Sequence, residues 1–159
     1  MHLDVTLRYS KQVRNNLTKL KRRTKLPHYH TLCRWGLCMS LADDRPARPE
    51  AKDSSDDSAF FDLPWARFGQ SDSALLAEMV HQRAKQEGVD PTEHNLQKLA
   101  ESHIARGVRR LAANNNIRSI ADLLRFAVET YDGLHDHNQQ SRPDSNSQDR
   151  IVQTSKTNT

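Results

Sequence analysis
The chain has 159 residues, 24 Lys and Arg against 20 Asp and Glu, 35% hydrophobic residues and a mean hydropathy of −0.86. That length suits one core of ordinary size and not two, and so polar a composition means that polar segments dilute a normal domain. No apolar stretch reaches the roughly 20 residues that cross a bilayer, the first residues lack an apolar signal core, and two cysteines make no disulfide framework, so a reducing cytoplasm is the expected compartment. In chain order, Leu3, Val5, Leu7 and Tyr9 alternate with Asp4, Thr6 and Arg8, the period of a strand with one buried face. Ser10 is placed as the N-cap of a first helix, whose Val13, Leu17 and Leu20 share one stripe. Its other faces are basic: residues 1–38 carry nine Lys and Arg against Asp4 alone. A second helix opens near Pro27 and runs through Leu32, Cys33, Trp35, Leu37, Cys38, Met39 and Leu41. It is apolar nearly all round and so is predicted to be buried.

Residues 43–58 hold six acids, three bases and two prolines, the composition of a solvated, flexible loop. Phe60 to Phe68 is aromatic without a clean period and reads as an irregular loop packed on the core. Ser71 to Glu87 is a third predicted helix, with Leu75, Leu76, Met79, Val80 and Ala84 inward and Gly88 as its stop. Asp90-Pro91-Thr92-Glu93 supplies a cap, a Pro at the first position and a Glu at the third. The fourth helix it opens places Leu96, Leu99, Ala100, His103, Ile104, Val108 and Leu111 in the core. Asn114 to Asn116 breaks it, and Ser119 begins a fifth helix carrying Ile120, Leu123, Leu124, Ala127, Val128 and Tyr131. From Gly133 to Thr159 only Leu134, Ile151 and Val152 are apolar, too little burial to offset ordering, so 133–159 is expected to be a disordered tail. The domain is thus 1–132: mainly α, a compact helical unit with an N-terminal strand. A lone strand leaves backbone groups unpaired, so residues 3–9 are expected to pair with a second copy in a homo-oligomer.

The basic segment carries the functional signal. Arg8, Lys11, Arg14, Lys19, Lys21, Arg22, Arg23 and Lys25 can neutralise phosphates and release counterions, a DNA-binding chemistry. The bland reading is a solvated helix face, or pairing with the acidic loop at 43–58. Five phosphate contacts would give a log–log salt slope near −4.5. Nothing marks a side chain that reads a base edge, and phosphate contacts position without specifying. The order strand-helix-helix also fits a ribbon-helix-helix module.

His28, His30, Cys33 and Cys38 have a zinc-like spacing, but the two cysteines lie about 140° apart on a helix. They are read as core cysteines, not as ligands or as a thiolate nucleophile. His81, His94 and His103 have no carboxylate at i+3 or i+4 suggesting a triad, and His135 and His137 fall in the tail. Arg106, Arg109, Arg110 and Arg118 form a second basic cluster, suited either to DNA or to an oligomer interface. There is no Gly-rich phosphate loop, paired catalytic carboxylates or Ser/His/Asp set. No enzyme, metal or cofactor is expected.

Three runs carry a family resemblance: Thr6-Leu7-Arg8-Tyr9-Ser10-Lys11, Leu20-Lys21-Arg22-Arg23-Thr24, and Leu32-Cys33-Arg34-Trp35-Gly36-Leu37-Cys38-Met39-Ser40-Leu41. Phe68-Gly69 to Gln82-Arg83, Gly88-Val89-Asp90-Pro91, His103-Ile104-Ala105-Arg106-Gly107-Val108 and Ser119 to Leu123 continue it. In order and spacing, over roughly residues 3–131, the chain resembles the DNA sulfur-modification protein DndE family. The resemblance implies an accessory, non-enzymatic DNA-binding protein of bacterial DNA phosphorothioation, a restriction-modification setting in which sulfur replaces a nonbridging phosphate oxygen. It implies a ribbon-helix-helix-like helical fold, self-association with a tetramer as the expected form, and action beside the other phosphorothioation proteins. Binding would use the double-stranded backbone with little sequence preference, at nicked or distorted duplex. The alternatives are a sequence-specific ribbon-helix-helix repressor and a scaffold without DNA affinity.

Overall fold
The structure, a computed structural model, describes residues 3–49 and 61–140. It divides into two compact units, Met1–Leu124 and Arg125–Thr159. The first holds strand β1 (Thr6–Tyr9), helices α1 (Lys11–Thr24) and α2 (Tyr29–Leu41), strand β2 (Phe61–Pro64), and helices α3 (Trp65–Gly69), α4 (Ser73–Glu87) and α5 (Glu93–Ala113). Helix α6 (Ile120–Gln140) begins in the first unit and supplies the described part of the second.

α1 forms where its caps allow. Ser10 Oγ accepts the Val13 N–H at 3.3 Å, the stripe Val13, Leu17, Leu20 and Thr24 is buried, and Lys25 closes the helix at φ 62°. α2 starts at Tyr29, two residues after Pro27, and buries Leu32, Cys33, Gly36, Leu37 and Ser40. Cys38 departs from its expected core place and is exposed, because it lies on the face of α2 turned from α5. α4 begins two residues later than expected, after a turn of 3₁₀ helix over Gln70–Asp72. Leu75, predicted inward, is 63% exposed. At α5 the cap is Thr92, whose hydroxyl accepts the Asn95 N–H, and not Asp90. α6 continues to Gln140, so residues 133–140 are helical and not tail; residues 141–159 lie outside the described residues.

The strand expectation needs correction. β1 pairs antiparallel with β2 of its own chain, Thr6 opposite Pro64 and Tyr9 opposite Phe61. The aromatic segment expected to be irregular is therefore a strand followed by a short helix. Its Tyr9–Phe61 rings stack at 5.1 Å, and Trp65 and Phe68 are buried. The other edge of β1 is occupied by α5: Gln97 Nε2 donates to the Thr6 carbonyl at 2.6 Å, and Glu101 Oε1 accepts the Arg8 N–H at 2.8 Å. With both edges served inside the chain, residues 3–9 do not need a second copy to satisfy their backbone.

The centre of the first unit is the crossing of α2 and α5, lined by Leu32, Leu37, Ile104, Val108 and Leu111, all fully buried. Two glycines set its depth. A Cβ on Gly107 would stand 1.8 Å from the Gly36 carbonyl oxygen, and one on Gly36 would stand 2.8 Å from Val108 Cγ2. The backbones touch there, and α1 and β1 also pack on α5.

Candidate nucleic-acid interface
Each residue of an α-helix advances about 100°. On α1 the buried stripe Val13, Leu17, Leu20 and Thr24 occupies one side. Lys11, Arg14, Lys19, Lys21, Arg22 and Lys25 then span an arc of about 160° opposite it. Lys19 is half-buried and the other five are exposed. The side chains of Lys11, Lys19, Arg22 and Lys25 make no hydrogen bond or ion pair among the described residues. Lys21 lies over the Tyr29 ring at 5.2 Å, with Tyr29 held by Thr18 at 2.9 Å. No acid stands in the first turn, and Lys21 and Arg22 favour the negative C-terminal end of the helix. The arc is a face of one sign.

The remaining two predicted residues behave differently. Arg8, on β1, is 65% exposed and meets Asp62 across the ladder at 3.9 Å, a contact that solvent screens. Arg23 turns away from the arc toward α5, where Nη1 donates to the Ala112 carbonyl at 3.1 Å and Nη2 to Asn115 Oδ1 at 3.3 Å. The structure thus gathers six of the eight on one face, leaves Arg8 on β1 beside Asp62 and uses Arg23 as a tie to α5.

The second basic cluster splits. Arg106 donates to Ser40 Oγ at 2.7 Å, to the Ser40 carbonyl at 2.6 Å and to the Arg45 carbonyl at 2.6 Å. Arg110 pairs with Asp43 at 2.8 Å. Arg83, 5% exposed on α4, donates to the Asp43 and Arg45 carbonyls and pairs with Glu87 at 2.6 Å. The start of the expected flexible acidic loop is therefore pinned by three arginines of α4 and α5. Asp43 pairs with α5 and not with the N-terminal basic face. Beyond residue 49 the loop lies outside the described residues until residue 61. Arg109 and Arg118 take no part in this network and stay exposed.

Sequence reasoning missed the hub of that network. His103 Nδ1 meets Ser40 Oγ at 2.9 Å and its Nε2 meets Glu87 Oε1 at 3.2 Å. The carboxylate comes from α4, 16 residues away, so no local spacing could reveal it. The Glu87 carboxylate can only accept at Nε2 and Arg106 Nη2 approaches Nδ1 at 3.4 Å, so the neutral ring carries its proton on Nε2 and Ser40 Oγ donates to Nδ1. Ser40 and His103 are 0% exposed; the chain of bonds braces α2 against α4 and α5. Burial holds His103 below the usual imidazole value, against the pull of Glu87 and with help from Arg106 and Arg83. The unfolded chain takes up that proton near pH 6.5, so stability is fully present above this pH and falls as pH drops below it, by at most about 1.4 kcal/mol per unit. Asp43, held well below the usual carboxylate range by its bonds to Arg45, adds a second loss below about pH 4. Urea midpoints at pH 8, 7, 6 and 5 should hold to about pH 7 and fall below it, and His103→Gln should flatten that fall. His30, also lowered by burial and by Arg34, makes His30→Gln the necessary comparison; equal curves for wild type and His103→Gln would reject the assignment.

The His28, His30, Cys33 and Cys38 set does not converge. His28 and His30 stack on each other at 5.0 Å, and His30 Nε2 contacts Gln70 at 3.1 Å. Burial pushes the Cys33 thiol up to about 12 and raises Cys38 as well, over the opposing pull of Arg34. Neither is the lowered thiol that a nucleophile needs. Among the described residues no three His, Cys, Asp or Glu side chains are grouped to hold a metal ion, and no helix is long and apolar enough to cross a membrane.

Compared with known proteins, the chain matches one family model, DNA sulphur modification protein DndE, over residues 6–119. The matched span runs from β1 through α1 and α5 to the turn before α6. No curated protein matches the chain.

Proposed function
From the premise that the chain belongs to the DNA sulphur modification protein DndE family, we propose that it is the DNA-engaging accessory component of that modification system. In this reading it is a binding protein and not an enzyme. It grips the phosphate backbone of double-stranded DNA through the solvent face of α1 and acts beside the other phosphorothioation proteins as a homo-oligomer in the cytoplasm.

The observation that carries the reading is the one-sign arc of Lys11, Arg14, Lys19, Lys21, Arg22 and Lys25. Among the described residues, the acid that opens the loop at 43–58, Asp43, pairs with Arg110 of α5, and the side chains of Lys11, Lys19, Arg22 and Lys25 meet no described acid. Flexible ammonium and guanidinium groups on a helix neutralise phosphates wherever the backbone presents them, which supports binding with little sequence preference. An operator-reading ribbon has less support, because β1 is paired with β2 and capped by Gln97 and Glu101.

Intact, nicked and sequence-scrambled duplexes of one length, titrated at fixed salt, test the proposal. Intact and scrambled duplexes should bind within a few-fold of each other, and a nick should not weaken binding. A preference for one sequence by a factor of about 10³ or more would instead identify a repressor. No affinity for any duplex at low salt would leave a scaffold that contacts proteins only.

A further inference from the structure
Two guanidinium groups meet on one turn. Arg23, from the last turn of α1, donates Nη2 to Asn115 Oδ1 at 3.3 Å and Nη1 to the Ala112 carbonyl at 3.1 Å. Arg118 donates Nε to the Asn115 carbonyl at 3.3 Å. The turn itself is stiff: Asn114 Oδ1 accepts the Asn116 N–H at 3.0 Å, the Asn114 carbonyl accepts the Ile117 N–H, and Ile117 is buried. Asp122 Oδ2 faces this turn, accepting from the Arg118 N–H at 3.1 Å and from the Ser119 hydroxyl at 2.8 Å. Both Nη groups of Arg118 have no acceptor among the described residues. An Arg held by Nε with its Nη pair open is set for bidentate contact with a phosphate.

The turn also adjoins the Lys19 edge of the α1 face. Lys19 lies four residues before Arg23, one turn along the same side of the helix. On α5, Arg109 lies three residues before Ala112 and is turned about 100° from Arg110, away from the flank on which Arg110 holds Asp43. It is exposed and unpaired among the described residues. Cations therefore run from α1 across Arg23 to Arg109 and Arg118, whereas Arg106 and Arg110, close to them in sequence, are spent on the 43–45 strap.

We infer that Arg109, on the last turns of α5, and Arg118, on the following turn tied down by Arg23, form a second phosphate-binding element of the DNA interface, so that the chain contacts duplex DNA at two places. The inference rests on the proposed α1 interface and adds two contacts to it. Each phosphate contact steepens the log–log salt slope by about 0.9, so the full chain should show about −6.3, and Arg109→Ala/Arg118→Ala about −4.5. If the extrapolated affinity at 1 M salt is unchanged, that difference is about 60-fold in Kd at 0.1 M. Arg48→Ala/Lys85→Ala removes the same charge elsewhere and should keep the wild-type slope. Arg109→Ala alone breaks no contact among the described residues and should carry half the change in slope, which guards against misfolding of the double variant. A wild-type chain that binds with a steep slope, matched by both Arg109 variants, overturns the second element and leaves the α1 interface standing. A wild-type slope of zero removes the α1 interface and this element with it.

Discussion
Raising salt from about 50 to 200 mM should weaken binding to duplex DNA at least roughly 500-fold, the consequence of a log–log slope of −4.5 or steeper. The slope counts phosphates neutralised, and α1 offers six cations on one arc, of which Lys11, Lys19, Arg22 and Lys25 meet no described acid. Five simultaneous contacts are the expected number for its face alone. Replacing Lys11, Lys19 and Arg22 together with Ala should flatten the slope by about 2.7. The same replacement should leave stability intact or slightly raised, since none of the three is bonded to a described residue and Ala is the best helix former. This separation of binding from folding makes the result readable. A slope indistinguishable from zero, or a triple variant that binds as wild type does, would exclude α1 as the interface.

Gly107→Ala should cost about 3 kcal/mol or more, the upper end of what overpacking a core costs. Against a total stability of about 5–15 kcal/mol, that places the variant near the edge of folding. The new methyl group would overlap the Gly36 carbonyl oxygen, 1.8 Å away, and a backbone atom inside a helix has nowhere to go. α2 and α5 would have to separate, opening the layer of Leu32, Leu37, Ile104 and Val108 between them. Gly36→Ala meets first the Val108 Cγ2 at 2.8 Å, a side chain with some freedom to turn, and should cost less. Gly133→Ala, with nothing within 4 Å, should be neutral or gain up to about 1 kcal/mol of helix propensity. Urea unfolding of the three variants checks the order. Gly107→Ala within about 0.5 kcal/mol of wild type would show that the two helices do not cross at this depth.

The two expectations draw on different parts of the chain's chemistry. α1 was legible because its signals are local: a cap at Ser10, an apolar stripe at helical spacing and cations on every other face. The α2–α5 crossing was half legible. Apolar stripes named both helices as core, but Gly36 and Gly107 lie 71 positions apart, and neither carries a pattern that points to the other. β2 was hidden because four residues with one Pro and one Asp make no period, and their partner strand lies more than fifty residues earlier. The second basic cluster was visible as a cluster and unreadable as a role. Arg106, Arg109, Arg110 and Arg118 are alike in composition, and only their direction around α5 and the turn after it separates a strap-holder from an exposed cation.

The sequence by itself determined the helical class, the basic face of α1 and the family, since each rests on neighbours within a few turns or on ordered short motifs. The tertiary structure alone decided where β1 finds its partner, that His103 shares Glu87 with Arg83, and which arginines remain exposed. Those outcomes depend on contacts between residues far apart in the chain. Backbone groups and buried charges must be satisfied by whatever packing brings near, and local spacing carries no record of that.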